Sequence, residues 1–193
     1  MYAPEKQNFK EDILRKAEVV DIPIILDLLR KNLAKNLSEE EKKDGFLFYE
    51  PNDEEIKKIL NDTGIYLSLR GEELKGYLMT MSKELAKSIP FEAELIEKAD
   101  KMFYDGKELS EYNYAVLAQI CIAKEFRRGM TFNKLHVATG TMLKEQGYEM
   151  GVGEVADTNN MSLSVHKYLA DVGTYIASSG LKWHILVSDL RKD

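Results

Sequence analysis

The residues best suited to chemistry lie in the stretch QICIAKEFRRGMTFNKL, positions 119–135. An apolar, β-branched run gives way to Lys124-Glu125-Phe126, two arginines and a glycine, and a helical pattern starts at once. A strand that breaks into such a turn and opens a helix makes an anion site. The first N–H groups of the helix point outward without partners, and the helix dipole favours negative charge there. Arg127 and Arg128 add fixed positive charge, and Thr131 adds a hydroxyl. The guest this chemistry suits is a phosphate or pyrophosphate, bound through charge-assisted hydrogen bonds of about 1.5–3 kcal/mol each. The alternative is an ordinary strand-to-helix turn with solvated arginines.

A second cluster follows in TNNMSLSVHKYL, positions 158–169. Asn159 or Asn160 can cap a helix. His166 has a side-chain type whose pKa near 6.5 suits proton transfer at neutrality, and Tyr168 stands two residues on. Glu154 and Asp157 close the preceding strand-like segment, where either a base or a solvated loop carboxylate fits. His136 and His184 stand alone in the pattern, and no cysteine–histidine spacing matches a zinc site, so no metal is expected.

The elements that must position these residues read as follows. Residues 13–18 suggest a strand. Asp21 and Pro23 open a helix carrying Ile22, Ile25, Leu28, Leu29 and Leu33 on one stripe. Residues 39–43 form a charge run. Asn52 caps a helix whose first turn holds Asp53, Glu54 and Glu55. Residues 65–70 and 74–81 form a hairpin. Residues 84–110 form a helical insert, with a helix after Pro90 and a turn at Asp105-Gly106. Its acidic residues Glu92, Glu94, Glu97, Asp100 and Asp105 read either as a solvated face or as the lining of a site for a cationic amine. A long strand spans 112–123, a helix 129–145, a strand 148–157 and a helix 159–169. A last hairpin, 174–177 with 181–188, ends the pattern. Hairpins and strand–helix–strand crossovers both occur, so an α/β (α+β) mixed sheet is expected, with a splay between the strands at 112–123 and 148–157.

Composition bounds the function classes. The chain has 193 residues, 44% hydrophobic and 31% charged, which fits one domain over 1–193 with a sizeable core. A net charge of −6 argues against general nucleic-acid binding, so an anion must be held by a local basic spot. Cys121 is the only cysteine, which rules out an intrachain disulfide. The segment MYAPEKQNFKEDI lacks the apolar stretch of a secretory leader, and no run reaches membrane-span length. A cytoplasmic protein without membrane association is expected.

The element order, the arginine–glycine turn and the two motifs together resemble the GNAT superfamily of acyl-CoA-dependent N-acetyltransferases. The resemblance covers nearly the whole chain. IAKEFRRGMTFNKL is similar to the family's Arg/Gln-x-x-Gly-x-Gly/Ala loop, with Arg127 in the first position and Met130 and Phe132 where the two glycines stand. Asn159, Ser162, Val165 and His166 match an Asn-x-x-Ser-x-x-Val-His pattern in the next helix. The resemblance implies a mostly antiparallel sheet with a parallel splayed pair and helices on both faces. It implies acetyl-CoA as cosubstrate, its pyrophosphate at Arg127, Arg128, Gly129, Met130, Thr131 and Phe132. Its pantetheine arm would pair with the main chain of Ile120, Cys121 and Ile122, near Asn159 and Ser162. His166 becomes the candidate acid to the departing thiolate, Tyr168 its substitute, and Glu154 a candidate base. The acceptor would be a small-molecule or peptide amine. Family habit and the strand LKWHILV, with Trp183, Ile185 and Val187 on one face, suggest a homodimer, although that face also suits a core. The alternative function is a non-catalytic acyl-CoA-binding or interaction domain of the same fold.

Overall fold

A computed structural model describes residues 12–192. β1 (Asp12–Lys16) leads into α1 (Ile22–Lys31), the short α2 (Glu39–Lys42) and α3 (Asp53–Asn61). The Asn52 side chain accepts hydrogen bonds from the N–H groups of Glu54 and Glu55, so α3 starts where its cap chemistry requires. β2 (Gly64–Arg70) and β3 (Glu73–Ser82) form the expected hairpin. Next come α4 (Lys83–Lys87), α5 (Pro90–Ala99) and a two-stranded ribbon, β4 (Phe103–Tyr104) with β5 (Lys107–Glu108). β6 (Tyr114–Ile122), α6 (Thr131–Glu145), β7 (Met150–Ala156), α7 (Asn160–Val165), β8 (Ala170–Ile176) and β9 (Lys182–Asp189) complete the chain.

The main sheet has seven strands in the order β1-β2-β3-β6-β7-β9-β8. Every neighbouring pair is antiparallel except β6–β7, which is parallel. Side chains alternate across it. On one face Tyr77, Met79 and Met81 of β3 pack with Ile25 and Leu29 of α1 and Ile56 and Ile59 of α3. On the other, Leu78 packs with Leu135 of α6, Leu117 and Ile120. The expected mixed sheet with helices on both faces is what forms.

The end of the last crossover differs from expectation. α7 stops at Val165, and β8 begins at Ala170 instead of Thr174. Val172, Thr174, Tyr175 and Ile176 are β-branched or aromatic and suit a pleated strand throughout. Gly173 lies inside the strand at φ 149°, where the register against β9 shifts. β9 lies between β7 and β8, and Trp183, Ile185 and Val187 are buried within the chain, so that face is core and not a surface for a second copy.

The feature that positions the site is the parting of β6 from β7. Their pairing covers only Tyr114–Met150, Ala115–Gly151 and Val116–Val152. Beyond it, Thr80 of β3 pairs with Leu117 and Met79 with Gln119, so Ala118 is an extra residue that bends β6. β6 continues with β3, while β7 continues with β9 as far as Ala156–Trp183. Gly153 sits at the fork. A Cβ there would lie 2.9 Å from the Leu117 carbonyl oxygen, so only glycine allows the two backbones to approach before they separate.

Candidate active site

The open end of the fork faces the turn between β6 and α6. The turn is tight. Phe126 N–H donates to the Ala123 carbonyl, and Arg128 takes a left-handed φ of 62°. α6 opens without a side-chain cap at Met130, and the first N–H to close a turn is that of Lys134, bonded to the Met130 carbonyl. The preceding N–H groups of the first turn are therefore presented at the helix's positive end. Gly129 and Met130 are exposed, and Thr131 is buried.

The two arginines divide their work. Arg127 turns inward. Its Nε donates to the Ile122 carbonyl at 3.0 Å, one terminal nitrogen donates to the Asp44 carbonyl at 3.2 Å, and the other donates to Asn32 Oδ1. It ties the end of β6 to the loop after α2 and to the end of α1. Arg128 is outside, its side chain 82% exposed and 3.6 Å from Asp44.

Between the parted strands run two adjoining cavities. The one nearer α6, about 160 Å³, is lined by Ile120, Cys121, Ile122, Arg127, Arg128, Gly129 and Phe132 among others. The second, about 100 Å³, reaches Gln119, Gly153, Glu154 and Trp183. Phe46, Leu47, Ile120, Asn159, Ser162 and His166 line both, which makes them one trench. Of the residues singled out from sequence, Met130, Thr131, Asp157, Asn160, Tyr168 and His184 line neither cavity. Tyr168 is 56% exposed, with its ring against Phe132 and His136, and burial raises its phenol to about 12.

Asn159 performs two local jobs. Its Oδ1 accepts from Ser162 N–H at 3.3 Å, and its Nδ2 donates to the Phe46 carbonyl at 3.0 Å. His166 is buried, and its Nδ1 lies 2.8 Å from the Ser162 carbonyl. A carbonyl only accepts, so Nδ1 carries the hydrogen and Nε2 is left with a lone pair. Burial lowers the imidazole pKa, partly offset by that backbone bond. His166 is thus a neutral ring whose Nε2 takes a proton before it can give one. His136 packs beside it at 5.2 Å, and burial, then His166, press its pKa down to about 3. The buried His136 Nε2 has no hydrogen-bond partner among the described residues. Cys121 is buried, and desolvation pushes its thiol up to about 12, which removes the nucleophilic thiolate.

Glu154 projects from β7 into the second cavity and accepts a hydrogen bond from Tyr175. Burial raises its carboxyl to about 7, against the lowering effect of that bond. Gln119, the β6 residue at the same level, is spent on structure: it accepts from Tyr77 and donates to the Tyr49 carbonyl at 2.9 Å. Sequence reading missed the aromatic wall of this cavity, made by Phe46, Phe48, Tyr49, Phe91 and Trp183. The run FLFY at 46–49 was the available signal. Among the described residues, no group of three or more His, Cys, Asp or Glu is placed to hold a metal ion, and no helix is long and apolar enough to cross a membrane.

No family model and no curated protein matches this sequence. Solved structures do match its shape. Arabidopsis thaliana NAA60, solved in complex with acetyl-CoA, superposes with a TM-score of 0.63 at 12% identity, over 93% of this chain and 99% of its own. The Drosophila melanogaster polyamine N-acetyltransferase gives 0.63 at 10% identity, over 93% and 100%. A protein from Desulfovibrio desulfuricans assigned to the GNAT family gives 0.59 at 10% identity, over 93% and 99%. At such identities the likeness speaks for architecture, and it agrees with the parted parallel pair: the chain has the fold of the GNAT N-acetyltransferases.

Proposed function

We propose that the chain is an acetyl-CoA-dependent N-acetyltransferase that acts on a primary amine by direct attack. The observation that carries this reading is the trench itself. It runs from the uncapped end of α6, which suits a pyrophosphate, between two parted strands, to a cavity with a buried carboxyl group. The fit to acetyl-CoA is a fit of chemistry. Main-chain N–H groups at 129–132 and the Arg128 charge meet the phosphates. The free edge of β6 at Ile120, Cys121 and Ile122 meets the amides of the pantetheine arm. Arg127 is then a positioning residue that holds the loop, and Ser162 and Asn159 hold His166 and the Phe46 loop across the trench.

The cosubstrate supplies an acyl group activated as a thioester. The amine nitrogen attacks its carbonyl carbon, a C–N bond forms and the C–S bond breaks. An alkylammonium loses two protons in becoming an amide. One neutralises the thiolate and the other goes to solvent. In this reading Glu154 accepts the first proton, from a group almost wholly protonated at neutrality. His166 accepts the second at Nε2 and passes it to the thiolate.

The direct test is thiol release from acetyl-CoA across polyamines, amino acids, aminoglycosides and lysine peptides. Turnover with at least one amine is expected, and CoA binding without any turnover refutes the reading. It would favour a non-catalytic acyl-CoA-binding module, for which Met130 and Phe132 in place of loop glycines are the supporting observation.

A further inference from the structure

The acceptor half of the trench has a shape and a charge of its own. Five rings wall it, and they brace one another. Tyr49 stacks on Phe91 at 5.0 Å, Phe91 meets Trp183 edge-on at 6.1 Å, Trp183 meets Phe48 at 5.2 Å, and Phe48 meets Phe46 at 5.1 Å. The Tyr49 hydroxyl is turned away, donating to Glu55 at 2.6 Å, so the tyrosine offers its ring and not a hydroxyl. Glu154 provides the polar wall.

Glu92 follows the wall residue Phe91 in the first turn of α5, is only 2% exposed and does not itself line the cavity. Burial and then the nearby Glu154 raise its pKa. A buried carboxylate is costly, and Glu154 at the cavity wall is half withdrawn from water in this way. An arriving cation relieves it.

We propose that this cavity receives the ammonium head of an unbranched primary alkylamine, with the rings packing its methylenes and Glu154 as its counter-charge. The inference rests on the N-acetyltransferase reading and names the acceptor class for it. Aromatic faces attract a desolvated ammonium as well as its methylenes. This end of the trench is the smaller, about 100 Å³ against about 160 Å³, and its ring-lined walls suit a slender chain and its head group better than a sugar ring or a branched carbon. An α-amino acid is disfavoured as well, because its own carboxylate would face that of Glu154. Free alkyl diamines and lysine side chains share the chemistry that fits.

Trp183 is the only tryptophan in the chain and lines this cavity, so its fluorescence reports occupancy without any need for turnover. The wild-type protein is titrated with n-butylammonium and with its neutral isostere, 1-butanol. Saturable quenching by the ammonium, at least about tenfold tighter than any response to the alcohol, is expected. Glu154→Gln keeps the shape and removes the charge, and it should weaken the ammonium by about tenfold or more while leaving CoA affinity by calorimetry unchanged. Equal response to ammonium and alcohol in the wild type overturns the inference, with or without a folded variant. So does a Glu154→Gln protein that binds the ammonium as well as wild type. In the activity arm, 1,4-diaminobutane and a blocked peptide whose one amine is a lysine side chain separate the two sources, and turnover of either one supports the shared chemistry. Turnover confined to ring-borne or branched amines overturns it and leaves the transferase reading intact. Fluorescence binding with no acetyl-CoA consumption leaves the cation site intact and removes the transferase reading.

Discussion

Arg127 offers the sharpest separation between an arginine that binds a ligand and one that shapes the loop for it. Arg127→Ala removes three hydrogen bonds, to the Ile122 and Asp44 carbonyls and to Asn32 Oδ1. Bonds from a charged donor are worth about 1.5–3 kcal/mol each, and they are not additive. The guanidinium is half-buried, water can re-solvate the abandoned carbonyls, and one side chain makes all three bonds, so the loss falls well below three times the low end, to about 2–3 kcal/mol. For a chain of this size about 1 kcal/mol corresponds to about 2–4 °C in Tm. The ligand-free variant should therefore melt about 5–10 °C lower than wild type. Arg128→Ala, which removes an exposed side chain, should melt within about 1 °C of wild type. Differential scanning fluorimetry without and with CoA checks both. If Arg127→Ala melts like wild type without CoA and loses only the CoA-induced rise, its guanidinium serves the phosphates directly and the reasoning fails.

Glycine-to-alanine changes should have opposite signs at two sites. Gly153→Ala forces a Cβ to 2.9 Å from the Leu117 carbonyl and should cost about 1–3 kcal/mol of stability, whereas Gly140→Ala inside α6 meets only Leu190 at 3.4 Å and should add about 0.5–1 kcal/mol, both read from urea midpoints. His184 bonds Asp171 through Nδ1 at 2.7 Å and Asp157 through Nε2 at 2.9 Å, and these carboxylates, Asp171 first, raise its pKa. A raised pKa gives stability that is whole below the unfolded value of about 6.5 and is lost as pH rises through the folded one. The Tm difference between wild type and His184→Gln should accordingly be largest below about pH 6.5 and shrink as pH rises above it; a difference that grows with pH refutes the assignment. His166→Phe should keep CoA binding and lower kcat by about 10²–10⁴-fold. An unchanged kcat, with Tyr168→Phe impaired instead, moves the role to the tyrosine.

What the sequence made legible was local. Asn52 with three acidic residues after it announces α3 because cap and dipole act within one turn. The hairpin at Gly71 and the opening of α6 follow from turn chemistry in the same way. What stayed hidden was set by partners far along the chain. Arg127 points inward because Asn32 and Asp44, both more than 80 residues earlier, bring acceptors to it. Of the acidic residues in the insert, Glu92 alone is fully buried, while Glu94 bonds Ser178 near the surface. A signal for that existed: Glu92, Leu95, Ile96 and Ala99 share one helical stripe, with a carboxylate where an apolar residue belongs. The aromatic wall draws on segments around 46–49, 91 and 183, which no spacing rule links.

The fork between β6 and β7 also gives the molecule a mechanical character. The sheet is two leaves, β1-β2-β3-β6 and β7-β9-β8, stitched by three residue pairs at one end. That end is riveted. Asn113 donates through Nδ2 to the Gly147 carbonyl at 2.9 Å, its carbonyl accepts from Glu149 N–H at 2.8 Å, and its N–H reaches the Glu149 carboxylate at 3.0 Å. A wedge with a fixed apex concentrates any load on a short seam. An occupant lodged in its mouth bridges the leaves where the backbone does not, so its binding energy becomes cohesion between the two halves of the sheet.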